Sequence, residues 1–234
     1  MNLLEVLMPD SEMRDHTDKI FGVVVGIVTN IQDPEKLGRV KVRFPWLSEQ
    51  DESNWARIAV LMAGKERGTF FLPEVEDEVL CAFELGDVRF PYVLGALWNG
   101  VDIPPRDNAD GKNNERVIHS RSGHELIFND EDGKEQVLIK TKAGHELLLD
   151  DTSGSEKIVI KDKTGSNSIQ IDSAQNAIAF EGQTKISLKA QQVEIEATSS
   201  LKIKGMQLEI AADAAATLKS SSVLTIQGSV VKIN

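Results

Sequence analysis

Leu201-Lys202-Ile203-Lys204-Gly205-Met206-Gln207-Leu208-Glu209-Ile210 sets two apolar pairs, Leu201/Ile203 and Leu208/Ile210, seven residues apart, with Lys or Glu between the members of each. Residues two apart point to one side of an extended chain. The pattern continues in both directions: Ile178/Phe180, Ile186/Leu188 and Val193/Ile195 come before it, and Ala216/Leu218, Leu224/Ile226 and Val231/Ile233 come after. Successive pairs are 8, 7, 8, 7, 8, 8 and 7 residues apart, seven steps over 53 residues with a mean of 7.6. A helical heptad would place apolar residues three and four apart, so a coiled coil is disfavoured.

The period constrains the assembly. Seven or eight residues make one short strand and a bend, too little chain to travel round a closed coil, and two inward side chains per repeat cannot bury each other. Three chains, each giving one side of a triangle, would supply about 23 residues per layer and bring the inward pairs to a common axis. The pattern therefore predicts a trimeric, intertwined, triple-stranded β-helix or β-prism needle. Its axis would be lined by Ile186, Leu188, Val193, Ile195, Leu201, Ile203, Leu208, Ile210, Leu224 and Ile226. Eight such strands stacked at ~4.7 Å would extend roughly 38 Å.

Upstream the repeat is longer. Gly123-His124-Glu125-Leu126 recurs as Gly144-His145-Glu146-Leu147, 21 residues on, and Gly165 falls 21 later still. Between them Glu135-Gln136-Val137-Leu138-Ile139-Lys140 recurs as Glu156-Lys157-Ile158-Val159-Ile160-Lys161. Each period holds two strands, joined by links rich in Asp, Gly, Ser and Thr.

The first hundred residues are built differently. Ten of the twelve aromatic residues precede position 100, and all seven prolines fall by Pro105. Phe21–Ile31 is a β-branched stretch interrupted by Gly22 and Gly26, which predicts a curved strand with bulges or bends at the glycines. Gln32–Gly38 supplies turn formers, and Arg39–Phe44 alternates charged and apolar residues, completing a hairpin. Ala56–Leu61, Glu78–Phe83 and Pro91–Leu97 read as three further strands. Five strands in about eighty residues predict a small closed barrel of the OB type. The expected organisation is an N-terminal extension (1–19), an OB barrel (20–100), a linker (101–116) and the needle (117–234), all-β throughout.

Charge narrows the function. The 26 basic and 37 acidic residues give a net charge of −11. Residues 1–104 hold 10 basic against 18 acidic residues, and 105–234 hold 16 against 19. OB barrels often bind oligonucleotides, but a chain that tracks phosphates concentrates Lys and Arg, so no nucleic-acid partner is expected. Trp46, Trp55 and Trp98 each flank apolar neighbours and read as core or interface residues. Cys81 lies in an apolar run and reads as a buried small hydrophobe. No run approaches the ~18 to 20 apolar residues of a membrane span, and Met1–Ile20 is too acidic for a signal peptide. A soluble product made in a cytoplasm is expected.

Taken together, several blocks resemble the OB domain of phage baseplate assembly protein V and of VgrG-type spikes of contractile injection systems: 21–28, Leu37–Trp46, Trp55-Ala56-Arg57, Phe71–Val79 and Pro91–Gly95. His119–Leu126 is similar to the start of the VgrG needle, and Leu224–Asn234 to its blunt end. The resemblance covers roughly residues 20 to 234. It implies a homotrimeric central spike of a contractile tail or injection machine, with its barrels seated on a hub and its needle contacting the target membrane transiently. Only about twenty residues precede the barrel, so the hub is expected to be a separate chain. No histidine follows His145 to form the His-x-His iron site of sharpened phage tips. A separate tip protein of the PAAR type is therefore implied, docking at Val230, Val231, Ile233 and Asn234. The particle would assemble in the bacterial cytoplasm.

Catalysis is weighed against this. His119, Ser122 and His124 match no catalytic or zinc spacing and read as structural residues at strand ends. Asp130-Glu131-Asp132 and Asp150-Asp151 could pair as glycosidase carboxylates, but they fall in predicted turns where solvated acids are ordinary. No enzyme activity and no cofactor are expected. The alternative reading, a trimeric tail-spike that binds or depolymerises glycans, wants an aromatic groove, and the needle half offers only Phe128 and Phe180.

Overall fold

The computed structural model describes residues 19–233. Residues 1–18 of the expected extension (1–19) and the docking residue Asn234 lie outside the described residues. The chain divides after Gln183 into two units.

The first unit opens with seven strands: β1 (Val24–Asn30), β2 (Lys41–Arg43), β3 (Arg57–Ile58), β4 (Ala63–Gly64), β5 (Arg67–Gly68), β6 (Glu78–Phe83) and β7 (Pro91–Ala96). Five form a sheet in the order β2-β1-β6-β7-β3, with the β3/β7 pair parallel and the others antiparallel. A bridge between Val40 and Ala56 joins the two ends of that order and closes the sheet on itself. The ring and its parallel pair are the OB connectivity, in which closure removes the exposed edges.

Alternation along β6 buries Val79, Cys81 and Phe83, and their partners in the core are Val28, Val40, Val42, Phe44, Ala56 and Val93. Phe44 and Phe83 meet edge-on with ring centroids 5.2 Å apart. Gly26 is required by packing, because a Cβ there would sit 2.3 Å from Val42 Cγ1. The irregularity in β1 falls between Val28 and Asn30 rather than at Gly22 or Gly26.

The third strand is shorter than expected. Only Arg57–Ile58 is strand, with Ala59 N–H donating to Val93 O (2.8 Å) before the chain leaves the barrel. Gly64-Lys65-Glu66-Arg67-Gly68 contains two residues at positive φ, Glu66 (54°) and Gly68 (147°), and folds the chain into the separate β4–β5 hairpin. Its turn chemistry overrides the apolar run Val60-Leu61-Met62, which ends exposed.

After the barrel come seven five-residue strands: β8 (Glu115–His119), β9 (Glu125–Asn129), β10 (Gln136–Lys140), β11 (Glu146–Asp150), β12 (Lys157–Lys161), β13 (Ser168–Asp172) and β14 (Ala177–Glu181). They form one antiparallel meander in chain order. Register aligns Ile118, Leu126, Ile139, Leu147, Ile160, Ile169 and Phe180 across the strands. A second row on the same face holds Phe128, Val137, Leu149, Ile158, Ile171 and Ile178. The other face carries cross-strand ion pairs, with Glu146 holding Lys161 at 2.7 Å and Lys140 at 3.6 Å. Ile178/Phe180 thus belongs to the last strand of this meander and not to the shorter repeat, because Asn176 at φ 52° turns β14 back onto β13.

The second unit has no assigned strand among its described residues. Bends recur at Gln183–Thr184, Gln191, Thr198–Ser199, Met206, Asp213–Ala214, Ser221–Ser222 and Ser229, every seven or eight residues. Each unbent run between them carries one apolar pair.

Candidate assembly surface

Extended runs with a bend every seven or eight residues put each i,i+2 pair on one side of its run. In the single chain none of these pairs is covered. Ile186 is 57% exposed, Ile195 65%, Leu208 62% and Ile210 78%. Leu188, Val193, Leu201, Ile203, Leu224 and Ile226 are likewise exposed, as are Val230, Val231 and Ile233 near the end. The two apolar rows of the meander are also open, with Ile139, Leu149, Ile160 and Phe180 exposed. Apolar surface of this extent makes these residues a candidate contact surface. The meander's face was a feature that sequence reading passed over. Its signal was there, since Leu126/Phe128, Val137/Ile139 and Leu147/Leu149 are the same i,i+2 pairs at wider spacing.

The polar candidates are spent on holding turns. Ser120 Oγ accepts from His124 N–H at 3.0 Å, and Thr141 Oγ1 accepts from His145 N–H at the same distance. His124 Nδ1 accepts from Lys142 N–H and His145 Nδ1 from Lys163 N–H, both at 3.3 Å. The two sets are related by the 21-residue translation. Gly123 (φ 92°) and Gly144 (φ 95°) supply the left-handed residue each turn needs. Ser122 Oγ lies 3.4 Å from Ser120 Oγ, and His119 Nδ1 lies 3.5 Å from Glu125 Oε1, so neither His119 nor His124 forms a nucleophile–base pair with Ser122. Among the described residues no group of three or more His, Cys, Asp and Glu side chains could hold a metal ion.

Two expectations need correction. Asp150 is the last residue of β11 and is buried, rather than a solvated turn acid. Burial pushes its carboxyl up, but hydrogen bonds from Thr152 Oγ1, Gln136 Nε2 (3.0 Å) and Thr152 N–H (3.1 Å), with the charge of Lys157, outweigh it and hold the group below its ordinary value. A strand-end aspartate with that set of donors is a structural staple. Trp55 does lie among cations, with the Arg39 guanidinium 6.0 Å and the Lys41 ammonium 5.7 Å from its ring centroid. Strand alternation from Arg39 to Lys41 brings both beside Trp55 through the Val40–Ala56 bridge. Trp46 and Trp98 are exposed. Cys81 is buried in the core as expected, and burial pushes its thiol up to about 12.

Comparison with known proteins agrees with the barrel. Residues 24–98 match the type VI secretion system/phage-baseplate injector OB domain. The type VI secretion system spike protein VgrG3 of Vibrio cholerae is 32% identical over 133 residues, 52% of this chain and 13% of that protein. The actin cross-linking toxin VgrG1 of Vibrio cholerae is 31% identical over 110 residues, 44% of this chain and 10% of that protein. The spike protein VgrG1c of Pseudomonas aeruginosa is 31% identical over 117 residues, 45% of this chain and 16% of that protein. The alignments thus span between 10% and 16% of the length of these relatives. The closed five-strand ring with its parallel β3–β7 pair agrees with these matches: residues 24–98 are similar to the injector OB domain of type VI secretion systems and phage baseplates, and about half of the chain is similar to VgrG-type spike proteins.

Proposed function

We propose that this chain is the central spike subunit of a contractile tail or injection particle and works as a homotrimer. The observation that carries this reading is the second unit's geometry: a bend every seven or eight residues, one apolar pair per run, and every pair open to solvent in the single chain. Burying a Leu or Ile side chain contributes about 1.5–3 kcal/mol. Ten such residues on a common axis, repeated in three copies, give a large driving force for association. Backbone groups left unpaired within one copy would pair between copies, making a rod without lateral edges.

Such a rod transmits force along its length. The barrels would sit on a separate hub or baseplate protein, and the end at Val230, Val231, Ile233 and Asn234 would carry a tip protein of the PAAR type. Contact with the target membrane would be transient, and assembly would precede release from a bacterial cytoplasm. The role is structural and needs neither catalysis nor a cofactor. Sedimentation of the full chain at micromolar concentration tests the core of this reading. A species of three times the 25.7 kDa chain mass is expected, and a stable monomer would overturn it.

A further inference from the structure

The first unit carries two apolar recesses of opposite net charge that share no residue. One is a groove of about 680 Å³ between the β1–β2 turn and the β4–β5 hairpin, with Leu37, Met62, Phe70 and Phe71 exposed along it and Lys36 and Arg67 among its lining. The other is a recess of about 730 Å³ where the chain leaves β7, lined also by Val117 and His119 of β8, with Trp98, Val101 and Ile103 exposed beside Glu78 and Asp102; its one arginine, Arg121, is paired with Glu74 at 3.0 Å. Lys36, Arg67 and Asp102 hold no side-chain ion pair among the described residues.

Both surfaces are set in shape by hydrogen bonds within the chain. Asp33 accepts from Leu37 N–H (3.0 Å) and Arg39 Nε (2.9 Å), which fixes the turn presenting Lys36 and Leu37. Asn99 Oδ1 accepts from Val101 N–H and Asp102 N–H, both at 2.7 Å, which fixes the turn presenting Trp98 and Val101. Surfaces already rigid lose little freedom on contact.

From this complementarity we infer that the two patches meet on neighbouring copies: the exposed Trp98 side chain of one copy enters the Met62 groove of the next. The occupant is a second copy of this chain, since an apolar, acidic patch with Trp98 exposed on it and an apolar, basic groove occur together on one chain. A contact between two different patches is heterologous and closes into a ring when the rotation allows. The inference rests on the trimeric reading above, in which three barrels share one axis and the ring closes at three.

Cysteine cross-linking of the full chain tests it, and Cys81 adds no background because its thiol is buried. Under mild oxidation, co-assembled Met62→Cys and Trp98→Cys chains are expected to give a covalent dimer on a denaturing gel. The double variant gives a covalent trimer, and each single variant alone gives no cross-link. The yield should fall when Lys36→Glu is added and return when Asp102→Lys joins it. A protein that sediments as a trimer but forms no Met62–Trp98 cross-link overturns the barrel contact and leaves the trimer standing. Self-linking of Met62→Cys alone also overturns it, because that contact is isologous. A monomer in sedimentation removes both.

Discussion

Leu208→Ala separates a self-sufficient chain from one completed by its copies. Leu208 is 62% exposed in the single chain, so a monomer loses little by its truncation, within about 0.5 kcal/mol as for ordinary surface positions. In the trimer the exposed share of the side chain becomes buried. Full burial of a Leu contributes about 1.5–3 kcal/mol, so the share still to be buried is worth roughly 1–2 kcal/mol per copy and about 3–6 kcal/mol for three. At 1.4 kcal/mol per decade, association should weaken by about a hundredfold to ten-thousandfold, before any cavity cost is added. Sedimentation across a dilution series measures this, with Lys204→Ala on the polar side of the neighbouring run as the control. Equal trimer populations for Leu208→Ala and the unmodified chain at every dilution would refute the argument that these pairs meet on an axis.

Gly26→Ala is expected to destabilise the barrel by about 1–3 kcal/mol, because the new Cβ falls 2.3 Å from Val42 Cγ1 in a packed core. Gly95→Ala, with nothing within 4 Å of its Cβ, should be neutral or mildly stabilising, and thermal melting compares the two. Asp150→Ala should cost the meander about 1–3 kcal/mol in chemical denaturation, since Gln136 and Thr152 lose their shared acceptor. The Asp150 carboxyl is held below its ordinary value, so its contribution is present above pH ~4 and is lost as the pH falls through the folded-state value. Asp150→Asn should therefore show a shallower loss of stability on acidification than the unmodified chain. Cys81 should resist iodoacetamide at pH 8 in the folded protein and react once unfolded, as mass spectrometry can read, because burial keeps its thiol protonated up to about 12.

The barrel was legible where alternation was strong. Val79, Cys81 and Phe83 all turn inward as the pattern of β6 requires, and β1, β2 and β7 lie where the β-branched runs place them. It was illegible at Val60-Leu61-Met62, where hydrophobicity argued for more strand and two positive-φ residues after it decided otherwise. The 21-residue recurrence of Gly-His-Glu-Leu was legible, but the paired turns it marks at His124 and His145 were not, because they rest on the Ser120 and Thr141 hydroxyls, which lie outside the stretch read as repeating. Asp150 was misread because its donors, Gln136 and Thr152, come from a neighbouring strand and a following turn, and strand register cannot be read from one segment. The apolar pairs of residues 184–233 were legible as a period, and the structure adds that the bends keep the same period.

The meander pairs each strand with its sequence neighbours, whereas residues 184–233 contain no assigned strand. In the proposed trimer that difference sets an order of events. Barrels and meanders can form on each polypeptide before any encounter, at a rate independent of concentration. The remaining stretch must wait for its companions, and the point where self-pairing stops is where three chains are first held close enough to begin. Winding would then proceed from Gln183 toward the tip like a zipper with its slider at one end, so an early flaw stalls every layer beyond it.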